Sequence, residues 1–157
     1  MLPTIIRGMS DDSTLPPIKI PYESLKGRPE TLWPLVELQL GTSETLLSQS
    51  IPALVDSGAN TSLLNPEFIP LLGFTEKDLQ FIPGGISASG TYRFAILPHE
   101  TLVNIYGYTF IIRFTVIENR DLVFPCILGQ DSIFQWARLD FQRFKGFFEI
   151  KFRKNIN

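Results

Sequence analysis

The stretch Ala53-Leu54-Val55-Asp56-Ser57-Gly58-Ala59-Asn60-Thr61-Ser62-Leu63-Leu64 holds the residues best placed to do chemistry. An apolar run leads straight into a carboxylate. A small hydroxyl residue, a glycine and a second apolar pair follow. A carboxylate beside such a run is costly to bury unless it is paired or protonated. Asp-Ser-Gly at this place is therefore either an ordinary tight turn or a built site. In a site, the carboxylate would take up or deliver a proton.

Other reactive side chains are scarce. Cys126 is the single cysteine, which excludes an internal disulfide and metal sites built on several thiolates. It lies in an apolar run and is expected to be a buried structural thiol. His99 is the single histidine. It sits between Pro98 and Glu100, in an expected solvent-facing turn. No metal and no cofactor are expected. Asp140 and Glu149 belong to a closing hairpin, where charged residues face solvent, and Trp33 and Trp136 read as core anchors.

The chain has 157 residues, most simply one domain with a real core. Its hydrophobic fraction of 44% is that of a folded protein. Thirteen Phe and twelve Pro lean toward strands and punctuated turns, because Pro blocks helix interiors. A net charge of −2 carries no electrostatic footprint for nucleic acid. No run approaches the about 18–20 apolar residues of a spanning helix. The N-terminus lacks a signal pattern, since Arg7, Asp11 and Asp12 interrupt it. A cytoplasmic protein with neither nucleic acid nor membrane as partner is expected.

These elements must position Asp56. Residues 1–30, with five Pro, read as an extended arm in which Ile18-Lys19-Ile20 makes a short edge strand. The domain proper is expected over 31–157. Val36 to Leu40 alternates as a half-buried strand does. Gly41 to Glu44 reads as a turn and Leu46 to Val55 as the strand that delivers Asp56. Residues 65–80 read as loop and short helix. Ile82 to Phe94, with Gly84, Gly85 and Gly90, reads as a mobile hairpin. Strands are expected over 102–106, 108–117 and 122–128, with a turn at 119–121. Asp131 to Leu139 has helical spacing, capped by Asp131. A hairpin over 140–152 turns at Lys145-Gly146. Eight strands and one helix predict an all-β fold, a small closed barrel.

The chain also echoes itself. Ile51-Pro52-Ala53-Leu54-Val55-Asp56 lies over Phe124-Pro125-Cys126-Ile127-Leu128-Gly129. Each stretch then reaches an apolar pair, Leu63-Leu64 or Ile133-Phe134. Two similar half-domains are implied, and only the first carries a carboxylate.

These residues resemble the retroviral-type, or retropepsin-like, aspartic proteases. Asp56-Ser57-Gly58-Ala59 matches the family's Asp-Thr/Ser-Gly-Ala signature after an apolar strand. The glycine-rich hairpin from Gly84 to Gly90 stands where the family has its flap. Ile127-Leu128-Gly129-Gln130-Asp131, before a helix, matches the second apolar-apolar-Gly element. The resemblance covers roughly residues 35–150.

The resemblance implies peptide hydrolysis by two carboxylates that share one proton, one acting as base for water and one as acid for the carbonyl oxygen. With one Asp-Ser-Gly, the second carboxylate is the Asp56 of another copy, on a two-fold axis. Ser57 would bond across that axis, and Gly58 would let the peptide approach. Ala59, Asn60, Gly84, Gly85 and Ile86 would bind the substrate. Gly129, Gln130 and Asp131 would support the loop. The flap would close over the peptide.

Two departures mark the chain. The viral enzymes carry Asp where Asn60 stands and Arg where Gln130 stands. An Asn60–Gln130 hydrogen bond is the expected replacement for that ion pair. The arm is also longer than theirs, as a strap, a pro-segment or a linker. The amides at Asn60 and Gln130 point to a cellular or bacterial relative. The alternatives are a non-catalytic peptide-binding or scaffold domain of the same fold, and an unrelated barrel in which Asp56 is only a turn residue.

Overall fold

The computed structural model describes residues 13–43, 46–87, 90–118 and 122–154. Its strands, in order, are β1 (Ile18–Pro21), β2 (Glu23–Leu25), β3 (Arg28–Trp33), β4 (Leu35–Ser43), β5 (Leu46–Leu47), β6 (Ile51–Val55), β7 (Leu63–Leu64), β8 (Ile82–Ser87), β9 (Gly90–Ile96), β10 (Thr101–Ile105), β11 (Tyr108–Ile112), β12 (Thr115–Ile117), β13 (Cys126–Leu128), β14 (Ala137–Gln142) and β15 (Phe147–Phe152). One α-helical turn, α1, spans Ile133–Trp136, and 3₁₀ turns span Pro66–Leu72, Glu76–Asp78 and Arg143–Lys145.

The main sheet runs β11-β10-β4-β6-β13-β7-β12-β9-β8, with β5 added beside β4. This path has two ends, so closure into the expected barrel is not part of the described pairing. Alternation builds the core. Val36, Leu38 and Leu40 of β4 are buried while Glu37 is exposed, and Val103 and Ile105 of β10 are buried opposite them. Phe114, Leu97, Leu128, Ile133 and Phe148 complete the same cluster. At about 25 cal/mol per Å² of apolar surface removed from water, this cluster dominates the stability of the fold.

Two smaller sheets flank the main one. The strands β1, β15 and β14 pair as one, and β2 with β3 as the other. Of the stretch read as an arm, residues 1–12 lie outside the described residues. From Thr14, which bridges Arg153, the chain is paired into the fold. Ile20 faces Phe148 across β1–β15, as the short edge strand predicted.

Several boundaries differ from expectation, each for a local reason. Gly41 to Ser43 is the end of β4, not a turn, because β5 pairs with it. The strand expected over 46–55 breaks at Ser48, whose N–H reaches the Leu40 carbonyl. The strand expected over 108–117 divides because it changes partners: Ile112 pairs with Thr101, whereas Thr115 pairs with Ile96 and Leu63. The run 122–128 is a strand only from Cys126. Pro125 has no N–H for a ladder, and its carbonyl accepts from the Asn65 N–H. The helix expected to Leu139 ends at Trp136, because Ala137 to Gln142 pairs with β15. The expected turn at 119–121 lies outside the described residues.

Candidate active site

Strand β6 sits between β4 on one side and β13 on the other, so its backbone is fixed on both edges. The β6–β13 ladder is parallel, with Ala53 opposite Cys126, Leu54 opposite Ile127 and Val55 opposite Leu128. That is the register of the sequence echo. One step on, the Asp56 N–H donates to the Leu128 carbonyl at 3.0 Å. Asp56 therefore leaves the sheet from a rigid strand end.

The turn that follows is closed by Asp56 itself. The Gly58 N–H donates to Asp56 Oδ1 at 2.9 Å, and the Ala59 N–H to the Asp56 carbonyl at 3.2 Å. A β-carbon on Gly58 would stand 3.3 Å from Oδ1, so glycine lets this N–H reach the carboxylate. Asp56 and Ala59 are half-buried, and Ser57, Gly58 and Asn60 are exposed. The carboxylate is thus held at one oxygen and open at the surface.

Gly129 and Gln130 clasp this turn from β13. The Gln130 N–H donates to the Ala59 carbonyl at 2.8 Å, and Gln130 Nε2 to the Ser57 carbonyl at 2.7 Å. The expected Asn60–Gln130 bond is thereby corrected: the Gln130 amide holds the backbone of the Asp56 turn. A β-carbon on Gly129 would lie 2.5 Å from the Ala59 carbonyl oxygen and 2.8 Å from that of Thr61.

Behind the clasp lies a polar knot. Ser62 Oγ donates to Asp131 Oδ1 at 2.6 Å and accepts from the Gly129 N–H at 3.1 Å. Ser132 Oγ is 2.7 Å from Ser62 Oγ. Ser62 has one hydroxyl proton, and the carboxylate takes it. The single proton of Ser132 Oγ has two acceptors in reach, Ser62 Oγ and the Gly129 carbonyl at 3.3 Å. Both serines are fully buried. Asp131, expected as a helix cap, instead ties the segment after β13 to Ser62 in the segment after β6, and α1 starts after Ser132 without a side-chain cap.

Ser62 and Ser132 are the supporting residues that sequence reasoning missed. The signal was in the echo: each directly precedes an apolar pair, Ser62 before Leu63-Leu64 and Ser132 before Ile133-Phe134. A hydroxyl flanked by core residues needs a buried partner, and here each is the other's.

Gly84, Gly85 and Ile86 lie on β8, which pairs antiparallel with β9 and ends the sheet path five strands beyond β6. Gly84 sits under the Tyr92 ring, where a β-carbon would collide with it. The register shifts between Pro83 and Ile86. An exposed Arg93–Glu118 pair at 3.3 Å fixes the base of the hairpin against β12. Residues 88–89, at its tip, lie outside the described residues.

Burial pushes the Cys126 thiol well above its ordinary range, and the residue is wholly inside β13. It is a structural thiol, as expected. His99 is exposed and stacks on Phe74 at 5.8 Å. Among the described residues no group of His, Cys, Asp and Glu could hold a metal ion, and no helix is long and apolar enough to cross a membrane.

No protein-family model matches the sequence, and no curated protein matches it. Solved structures do. A retropepsin-like aspartic protease from Rickettsia conorii aligns over 89% of this chain and 94% of its own, with a TM-score of 0.61 at 19% identity. The retroviral protease-like domain of Ddi1 from Leishmania major aligns over 68% of this chain and 79% of its own, with a TM-score of 0.48 at 24% identity. EIAV protease, solved with an inhibitor, covers 68% and 88% with a TM-score of 0.44 at 18% identity. The chain has the retropepsin-like fold.

Proposed function

We propose that this chain is an aspartic endopeptidase, acting as a homodimer in which the Asp56 carboxylates of two copies activate one water against a peptide bond. The observation that carries this reading is the difference between two equivalent slots. The parallel strands β6 and β13 end in register, one at Asp56 and the other at Gly129, which has no room for a side chain. One copy then supplies one acid, and a two-fold axis supplies the second.

Two carboxylates in contact do not both ionise, so the pair holds one proton and titrates as a unit. The ionised member takes a proton from water as it attacks. The protonated member donates to the carbonyl oxygen of the peptide. The Gly58 N–H on Oδ1 sets the plane of each carboxylate and leaves Oδ2 for the water and for the other copy. Ser57, exposed next to Asp56, bonds across the axis. Gly58, Ala59 and Asn60 face the peptide, and the hairpin with Gly84, Gly85 and Ile86 closes over it. Gly129, Gln130 and Asp131 brace the turn. The protease domain comprises 31–157, preceded by the segment 1–30. The enzyme works in the cytoplasm on peptide or protein substrates.

The test is digestion of a peptide library by the purified chain, from acid to neutral pH, beside Asp56→Asn. Asn keeps an oxygen for the Gly58 N–H, so the variant stays folded. Its cleavage rate is expected to fall by about 10³-fold. Cleavage that survives the substitution would refute the chemistry. A folded native chain that stays monomeric at high concentration and cleaves nothing would select a peptide-binding domain instead.

A further inference from the structure

The strand that delivers Asp56 has a pocket at its other end, on the same face. Ala53 and Val55 of β6, with Cys126 and Leu128 of β13, face the main core. Leu54 and Ile127, opposite each other in the ladder, belong instead to a second apolar cluster with Leu25 and Trp33. Pro52 and Pro125 stand one step before this ladder, and Asp56 and Gly129 one step after it. Alternation therefore lines up Pro52, Leu54 and Asp56 on one face.

A pocket of about 470 Å³ opens beside Pro52 and Pro125. Leu25 and the exposed Val123 extend its apolar wall, and Lys26 and Arg28 complete it. The β2–β3 register pairs Leu25 with Arg28, so Lys26 lies in the turn that leads to Arg28. Both cations are exposed. Neither has an ion pair among the described residues, where Arg93–Glu118 is the one such pair. Glu23 and Glu30, the acids of the same hairpin, do not line the pocket.

We propose that this pocket takes an acidic side chain of the peptide cleaved at Asp56. Apolar walls beside two unpaired cations fit a glutamate, whose methylenes pack on the prolines while its carboxylate meets Lys26 and Arg28. A free inorganic anion would leave the apolar walls without a partner. The strand gives the position. Pro52 is four residues from Asp56, about 13 Å at 3.3 Å per residue. An extended peptide advances at the same rate, so the acid lies about four residues from the cleaved bond. For that position the inference rests on the endopeptidase reading. In the homodimer the two-fold axis repeats the pocket, so a second acid is selected about four residues beyond the bond on its other side. Exposed charge pairs are weak, so they give a preference of about fivefold, which salt reduces.

Two measurements test this. One is the cleavage profile of a peptide library by the native chain. Asp and Glu should be enriched over Asn and Gln about four residues from the cut bond, on both sides, by about fivefold. The other is fluorescence anisotropy of the Asp56→Asn chain with a labelled ten-residue peptide. It carries Phe-Phe at its centre and Glu at its second and ninth positions, and is compared with the same peptide bearing Gln there. The Glu peptide should bind about fivefold more tightly, and by less in high salt. Lys26→Glu with Arg28→Glu should turn both preferences over to Lys and Arg at an unchanged unfolding temperature, a reversal that a merely structural role would not produce. No difference between the two peptides, or an acidic preference that survives the charge reversal, would overturn the proposal. Cleavage without acidic preference would strike the pocket and leave the endopeptidase reading. A Glu preference in binding by a chain that cleaves nothing would strike that reading and leave the pocket.

Discussion

Gly129 is packed beneath the Ala59 carbonyl so closely that a β-carbon would stand 2.5 Å from its oxygen. Both partners are backbone, held by the Gln130 N–H on that same oxygen at 2.8 Å. Neither can swing aside as a side chain would. Gly129→Ala should therefore destabilise the fold by about 2 kcal/mol or more, as overpacking does. Urea unfolding would measure it, and a loss below 0.5 kcal/mol, within the range of ordinary surface substitutions, would contradict the packing. Gly129→Asp should fail to make a one-chain acid pair, for the same reason.

Ser62 is the junction of the buried knot, with a carboxylate, an N–H and a hydroxyl on one oxygen. Ser62→Ala leaves the Gly129 N–H buried without its acceptor and Asp131 without its donor. The expected cost is about 2 kcal/mol. Asp131→Asn keeps an acceptor oxygen and should cost less than about 1 kcal/mol. Equal losses in chemical unfolding would mean that charge, not hydrogen-bond count, holds the knot.

The Gly84–Tyr92 contact concerns the hairpin. A methyl at position 84 meets an aromatic ring, and that ring is half-buried and can rotate away. Gly84→Ala should loosen the hairpin by about 1 kcal/mol. In a Tyr92→Ala background the same change should cost almost nothing. A double-mutant cycle on stability should give a coupling of about 1 kcal/mol. Additive losses would place the strain elsewhere.

Cys126 sets a pH dependence. The folded thiol ionises far later than the unfolded one, because burial disfavours the thiolate. The unfolded thiol ionises near pH 8.5. Its contribution to stability is complete below that pH and is lost as pH rises above it, by about 1.4 kcal/mol per pH unit. Between neutral and alkaline pH, the native chain should lose more stability than Cys126→Ala. Thiol reagents should label Cys126 only at the rate of unfolding.

Much of the site was legible in the sequence because it is local. The apolar run, Asp56 and the glycine of the turn stand within eight residues, and the echo around Pro52 and Pro125 is the register of the β6–β13 ladder. What was not legible depends on partners distant in the chain. Gln130 reaches the Ser57 carbonyl and not Asn60, a choice made by loop geometry that side-chain types do not reveal. Asp131 has the sequence context of a helix cap, yet Ser62 takes its carboxylate. Ala137 to Leu139 keeps helical spacing, but pairing with Phe152 to Ile150 makes it a strand. Strand β3, from Arg28 to Trp33, lacks alternation strong enough to be seen, and it forms by pairing with β2.

The knot between Ser62 and Ser132 joins residues seventy positions apart. The brace behind the Asp56 turn therefore forms only once Gly129 to Ser132 are present. Contacts of such separation form slowly and late in folding, after the local hairpins. A nascent or truncated chain that stops before β13 carries Asp56 on a strand held along its β4 edge alone. Whatever reactivity this carboxylate has in the braced turn is thus withheld until Gly129 to Ser132 have been made, a timing set by topology alone.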